Sequence, residues 1–499
     1  MNRNVVIAGW GQIKQPKEQT EHLLDPVGLM ADASKKAAET AGAPDLLTKL
    51  DGIMVVRVMS HSVPKAAEQL ADKLNASPKL TVVSSIGGNS PQLFVNKAAG
   101  MIARGELDSV LIAGGEVYYP RENKKKKSDS MLFKGLTGVN ARDDMIGVTI
   151  DELQHGIYLP VHGFPLYETA LWAKSGLGLE PYLKQHAGKI WSRFSQTAAE
   201  NPDAWIRSPR SAEEIISDHP ENRMIAFPYR KFMTSLISVD LGAAVILMSE
   251  KKSRQYRQKN RQPVYFLGGA YTEDRQPYLI QKTSFTTSPS LKTAVQRALI
   301  RSTLSLEDLD CFDIYSCFPC SVTIGRKMIG IPENDPRPQT LTGGLGFFGG
   351  PGNNYSLHAI ATMAESLSKG VYSSGMITSL GWFLHKHAVG IYSTNAKDTG
   401  LAHHDLADEN DFLVGDEPLG VDSEASGKGI IETYTIIHAK DGSPAYAVIY
   451  GKTESNNRFI AQTHNNPDIY AALSSDNQVG KTVQLSFDKK RNKNFAELL

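Results

Sequence analysis

Short apolar runs rich in valine and isoleucine alternate with segments of helical length as far as about residue 405. Runs without polar alternation suit strands buried on both faces, so helices are expected to cover a mostly buried sheet. The fold class predicted is α/β. Strands are expected at Val5–Ala8, Gly52–Val56, Leu80–Val83, Val110–Ala113 and Ala243–Met248, with helices over Val27–Ala41 and Pro91–Ala103. A second series opens at Val264–Leu267 and continues with a helix over Leu291–Arg301, a strand at Phe312–Tyr315 and a helix after Pro319. It then runs through a helix over Tyr355–Ser368 and strands at Gly375–Leu380 and Ala388–Tyr392. Two series in similar order predict a duplicated α/β unit, an inference from element order and not from residue identity.

Two regions break this rhythm. Pro120–Met233 carries a lysine run, Lys124 to Lys127, followed by aromatic and helical stretches. An insertion of that length suits a cap over a site better than a linker. The lysine run reads as a solvated loop, with attraction of a phosphorylated ligand as the alternative. After about residue 410 the pattern becomes short alternating strands at Ile430–Ala439, Ala445–Lys452, Arg458–His464 and Thr482–Phe487, with a hairpin signal at Asp441-Gly442. A small closed barrel or sandwich is expected there. The expected divisions are 1–250 for the first half, with the insertion at about 120–233, then 251–405 for the second half and 410–499 for an additional β domain.

A chain of 499 residues exceeds the roughly 250–300 that one hydrophobic core supports, which agrees with several units. Lys plus Arg number 54 against 53 Asp plus Glu, so no global field recruits nucleic acid or an anionic membrane. A small molecule or a protein, including a second copy, is the expected partner. The longest apolar stretches, such as Leu241–Met248, fall short of the ~20 residues that span a bilayer. The first residues enter a strand-like run without a secretory apolar region, and cysteines number three. Both point to a reducing cytoplasm.

Four segments resemble the motifs of thiolases. Gly87–Glu116 resembles their active-site helix and the strand after it, and aligning Ile102-Ala103-Arg104-Gly105 puts the family's nucleophilic cysteine on Gly88, or on Gly87 with a one-residue slip. A thiol at a helix N-terminus gains from free N–H groups and the positive dipole end. Here Ser90 and Pro91 supply an expected N-cap and first turn, but glycine offers no atom to acylate. Ser85 and Ser90 are nearby hydroxyls with no base in the segment.

Leu304–Val322 resembles the segment carrying Asn-Glu-Ala-Phe, or His-Asp-Cys-Phe in sterol-carrier-fused thiolases, and reads Tyr315-Ser316-Cys317-Phe318. The family's Asn or His holds a catalytic water there. Leu341–Ile360 resembles the segment with the activating histidine, whose position falls on Gly350, and the Cys-x-Gly acid/base motif falls on Ser379-Leu380-Gly381. The resemblance spans roughly residues 4–394 and, with the β-rich C-terminal region, is to the thiolase-like protein type 1 group, often labelled acetyl-CoA acetyltransferase. It implies a thiolase fold and CoA or an acyl-CoA as ligand, with no other cofactor and no metal. It also implies that thiolase chemistry is absent.

Six of the ten residues from Gly343 to Gly352 are glycine. They suit either a tight crossing of buried loops or a pocket lined by backbone N–H groups, in which Gly343, Gly344, Gly349 and Gly350 would meet the ligand. Cys317 and Cys320 have CxxC spacing, read as core packing in preference to a redox pair or half a zinc site because no second pair exists. His385 and His387 are expected on one face of a strand, with Ser316 and His387 as candidate acid/base groups, while His358 is expected to pack on the glycine-rich loop. Three classes of function compete. They are a non-classical acyl-CoA transferase, a binding or scaffold protein acting with a partner enzyme, and a CoA-thioester lyase or hydrolase using Tyr315, Ser316 or His387.

Overall fold

The computed structural model describes residues 3–120, 147–256, 261–404, 406 and 412–499, so the lysine run at 124–127 lies outside the described residues. One sheet has ten strands among the described residues: a short strand, Leu413–Val414, pairs parallel with Tyr265–Asp274 at its side, and nine strands run along its main path. They are β1 (Val5–Lys14), β2 (Gly52–Val55), β3 (Leu80–Val83), β4 (Ser109–Val117), β5 (Asp240–Ser249), β6 (Tyr265–Asp274), β7 (Cys311–Asp313), β8 (Ser374–Gly381) and β9 (Lys386–Ser393). Their order is β3-β2-β4-β5-β1-β6-β9-β8-β7.

Outward from the β1–β6 seam, the first half pairs β1 with β5 and β5 with β4 antiparallel, then β4 with β2 parallel. The second half repeats this, with β6–β9 and β9–β8 antiparallel and β8–β7 parallel. The duplication expected from element order is thus present in the pairing. Among the described residues the second half has no counterpart of β3.

The apolar runs divide by pleat. Val110, Ile112, Val245 and Leu247 enter one core, while Leu111, Ala113, Ala244, Ile246 and Met248 enter the other, under helix α1 (Pro26–Thr40). Helix α2 (Ser90–Arg104) lies in the first of these cores.

Several strands run longer than their apolar cores suggested, because glycines that look like strand breakers are inside them. A Cβ on Gly9 or Gly11 of β1 would stand 2.0 or 2.1 Å from the Ala37 or Ala33 carbonyl oxygen of α1. Close helix approach therefore requires glycine there. Conversely β7 ends at Asp313, and Tyr315, expected in the strand, has left the ladder with its N–H donating to Thr378 Oγ1 at 3.1 Å.

Within the insertion, helix α3 (Pro160–Ser175) and helix α4 (Lys189–Glu200) are largely apolar on their inner sides. The C-terminal region forms a closed five-stranded barrel of β10 (Gly427–His438), β11 (Pro444–Thr453), β12 (Arg458–Gln462), β13 (Thr482–Asp488) and β14 (Lys493–Leu498). Strand β14 and a helix at Pro467–Ser475 carry too little alternation to stand out in sequence. The barrel docks on the insertion. Ala226 pairs with Ile437, Phe227 N–H donates to the Ile436 carbonyl at 2.9 Å, and Thr433 Oγ1 donates to the Leu166 carbonyl of α3.

Three more helices complete the frame, α5 (Pro289–Ser302), α6 (Pro319–Ile329) and α7 (Tyr355–Ser368). Buried amides of α2 tie it to the second half. Asn96 Nδ2 donates to the carbonyls of Ala270, Val389 and Leu406 at 3.3, 3.4 and 3.2 Å, and Gln92 Nε2 donates to Asn96 Oδ1 at 2.9 Å. A Cβ on Gly269 would lie 2.5 Å from Asn96 Oδ1 and 2.7 Å from the Val389 carbonyl oxygen. Gly269→Ala should therefore lower unfolding stability by about 1–3 kcal/mol in chemical denaturation. The control Gly178→Ala, whose Cβ would meet only Pro181 at 3.7 Å, should be near neutral.

Candidate functional site

The approach to α2 is held by side chains from α7 and the loop before it. Gly87 N–H donates to Asn353 Oδ1 at 3.0 Å, and Ser356 Oγ donates to the Gly88 carbonyl at 3.0 Å. A Cβ on Gly88 would stand 2.2 Å from Tyr315 Oη and 2.6 Å from the Leu380 carbonyl oxygen, and one on Gly381 would stand 2.2 Å from Asn89 Oδ1. The start of α2, Tyr315 and the end of β8 therefore meet at one place, reached from the glycine-rich segment through Asn353. Ser90 does not cap α2, contrary to expectation. Its hydroxyl donates back to the Ser85 carbonyl at 3.0 Å, and Asn89 precedes the helix with Oδ1 buried and without a partner among the described residues.

Tyr315 fills the volume beside Gly88. Its ring meets Tyr355 edge-on at 5.5 Å, and burial raises its phenol well above the ordinary range, so the group is neutral. No described residue hydrogen-bonds its hydroxyl. Tyr355 is in turn fixed by Asp313, to whose Oδ1 it donates at 2.9 Å. Asp313 Oδ2 accepts from Leu341 N at 2.8 Å and from Thr340 Oγ1 at 3.2 Å, with burial raising the carboxyl.

That carboxyl anchors the glycine-rich loop. Gly343 N–H donates to Thr340 Oγ1 at 3.0 Å, Gly344 N–H to Thr342 Oγ1 at 3.1 Å, Leu345 N–H to Ser316 Oγ at 3.2 Å and Gly350 N–H to the Leu236 carbonyl at 2.8 Å. At Gly343 and Gly344, with φ of +105° and +77°, a Cβ would strike Ala198 and Phe194 of α4 at 2.4 and 2.6 Å. The glycines permit a packed crossing, and with Phe347, Phe348 and Gly352 seven of the loop's amides have partners inside the chain. Ser316 is a positioning hydroxyl for this loop.

The other sequence-derived candidates are buried. Ser379 Oγ has no partner among the described residues. His387 Nε2 lies 3.0 Å from Ser288 Oγ and 3.3 Å from the Leu384 carbonyl, and burial lowers its pKa to about 4. His385 is not on the strand face with His387. It sits in the turn before β9, where Trp382 and Leu384 have positive φ, and both its ring nitrogens are buried without partners among the described residues. His358 packs on Phe348 of the glycine-rich loop at 5.1 Å, as expected. Cys317 and Cys320 are free buried thiols, Cys317 being pushed up to about 12, and no metal-binding cluster occurs among the described residues.

Asp313, Asn353 and Ser356 escaped the sequence reading. The Asn353-Asn354 pair directly after Gly349-Gly350-Pro351-Gly352 was the available signal. Glu116 was also missed. It is fully buried, accepts from Met59 N and Ser60 N at 2.8 Å each, and stands where a Cβ on Gly352 would meet it at 2.5 Å.

The thiolase-like protein type 1 additional C-terminal domain matches residues 414–490. A monomeric SCP2-thiolase like protein type 1 from Mycobacterium smegmatis is 29% identical, with a TM-score of 0.82 over 100% of both chains. The Ltp2-ChsH2(DUF35) aldolase is 17% identical and matches 79% of this chain and 99% of its own at a TM-score of 0.60. Acat5 thiolase from Ascaris suum, solved in complex with coenzyme A, is 16% identical and matches 78% of this chain and 100% of its own at 0.57. The last two share the fold alone. No curated protein matches.

Two expectations follow from the site. Gly88→Ala should destabilise the fold by about 1–3 kcal/mol, and in a double-mutant cycle with Tyr315→Leu the two effects should be non-additive by about 0.5–3 kcal/mol. Strict additivity would mean that the two residues do not touch. Burial raises Glu116 from 4.5 to about 7. Its native state therefore holds the proton more tightly than the unfolded chain, so its contribution is complete below pH 4.5 and declines up to pH 7. Denaturation midpoints measured across that window should fall more for the wild type than for Glu116→Gln.

Proposed function

From the likeness to the type 1 thiolase-like proteins, we propose that the chain holds a CoA thioester beside Tyr315 without forming an acyl-enzyme. One observation carries the reading. The phenol of Tyr315 occupies the place a side chain on Gly88 would need, and its hydroxyl has no partner among the described residues. In this reading Gly88, Gly350 and Ser379 stand at the positions of the thiolase nucleophile, histidine and second cysteine, so neither acylation nor its activation is available. The neutral phenol donates to the thioester carbonyl. Gly343, Gly344, Gly349 and Gly350 shape the wall of the site through the tight loop.

The halves 1–250 and 251–405 frame the ligand, and residues 410–499 buttress the insertion. A cytoplasmic setting, in which three unpaired thiols persist, belongs to the same proposal. A second reading is a CoA-thioester lyase working with a partner chain. It is favoured by the fold shared with the Ltp2-ChsH2(DUF35) aldolase, and it would use Tyr315 as the acid.

Calorimetry should show acetyl-CoA binding, while intact-mass measurement after incubation shows no acyl gain and thiolytic cleavage of a 3-ketoacyl-CoA is undetectable. Tyr315→Phe should weaken acetyl-CoA roughly five- to tenfold, the loss of one hydrogen bond, and leave CoA unchanged. Release of free thiol without enzyme acylation would select the second reading. Absence of heat and of thermal shift with millimolar CoA or acetyl-CoA would refute both.

A further inference from the structure

A cavity of about 350 Å³ opens between α4 and the segment running from Glu333 to Thr340, with Arg326 of α6 on its wall. Its size is at the lower end for small-molecule sites. Lys189 and Arg193 project from α4, and neither has a carboxylate within ion-pair distance among the described residues. Arg326 is half-buried. One of its Nη atoms donates to the Pro332 carbonyl at 2.9 Å, and its Nε is buried with no partner among the described residues.

The fourth cation, Arg337, is already committed. It clamps Asp335 at 2.6–3.1 Å and donates to the carbonyls of Leu306 and Leu309. Only Glu333 opposes the other three, which leaves an excess of two positive charges around the cavity. The charge of Arg193 also bears unfavourably on Arg326. Clustered like charges in a partly buried cavity are unfavourable unless an anion lies between them.

From this arrangement we propose that the cavity binds a small phosphate monoester, its dianion held by Lys189, Arg193 and Arg326. A phosphate monoester carries about −1.5 to −2 charges near neutral pH, which matches the local excess, and guanidinium forks suit its oxygens. Ile190 and Phe194 of α4 give the organic part an apolar face. The site is separate from that at Gly88, because Tyr315 precedes the N-terminus of α6 and Arg326 lies in its last turn. The two meet through Thr340, which lines the cavity and accepts from Gly343 N, and through Phe194, which lines the cavity and packs on Gly344. The inference does not rest on the acyl-CoA reading and stands or falls without it.

The test is calorimetry on the full chain with 5′-AMP, glucose 6-phosphate and inorganic phosphate, using adenosine as the uncharged control. At least one phosphate ester should bind, and adenosine should bind at least tenfold more weakly than AMP. Arg193→Ala changes an exposed side chain and should leave the melting temperature in place while weakening the bound ester about tenfold or more. Glu333→Gln, which removes the opposing charge, should tighten it about threefold or more. No binding of any of the three probes at about 10 mM would overturn the proposal. Affinities indifferent to both substitutions would overturn it equally.

Discussion

The buried amides of Gln92 and Asn96 are the interaction on which the arrangement of the two halves rests. They sit on a helix that belongs to the first half, and they meet carbonyls of β6 and β9 in the second. Tyr392 adds a third contact by donating to Gln92 Oε1 at 2.8 Å. Polar groups at this depth are unfavourable unless partnered, so the halves dock in the one arrangement that pairs them. Glycines at 269 and 390 are the counterpart of that choice, since a Cβ on either would enter the space of these amides.

The same logic operates around Asp313. A carboxyl buried to this extent would be unfavourable alone, yet it gathers the Leu341 amide, two threonine hydroxyls and Tyr355. It thereby orders the loop whose glycines press against α4. Tyr315 then packs on Tyr355, which fixes the ring beside Gly88. The candidate site is the end of a chain of packing constraints that begins at the Asp313 carboxyl and reaches Tyr315 through Tyr355.

Much of the fold was legible from periodicity. The strand at Leu80–Val83 and the helix at Tyr355–Ser368 coincide with their expected limits, because an apolar run between turns and an amphipathic stretch both encode which face is buried. Strands such as β1 and β6 were read short, since glycines within them signal breaks locally and close packing only in three dimensions. At the site, the motif positions 88, 315 and 379–381 were found and do converge. The side chains that position them, Asp313, Asn353 and Ser356, were not, because a hydrogen bond between residues 266 or 268 apart in sequence leaves no periodic mark.

The sequence alone determined the α/β class, the doubled order of elements, the barrel and the absence of a reactive side chain at position 88, because each is written in local composition or in the identity of one residue. Tertiary structure decided the rest. It placed the Tyr315 phenol in the space beside Gly88, gave the glycine-loop amides partners within the chain, joined the insertion to the barrel through Ala226 and Ile437, and gathered Lys189, Arg193 and Arg326 around one cavity. These are encounters between side chains distant along the chain. Their energies depend on shape and burial at the contact, which exist only once the elements have packed.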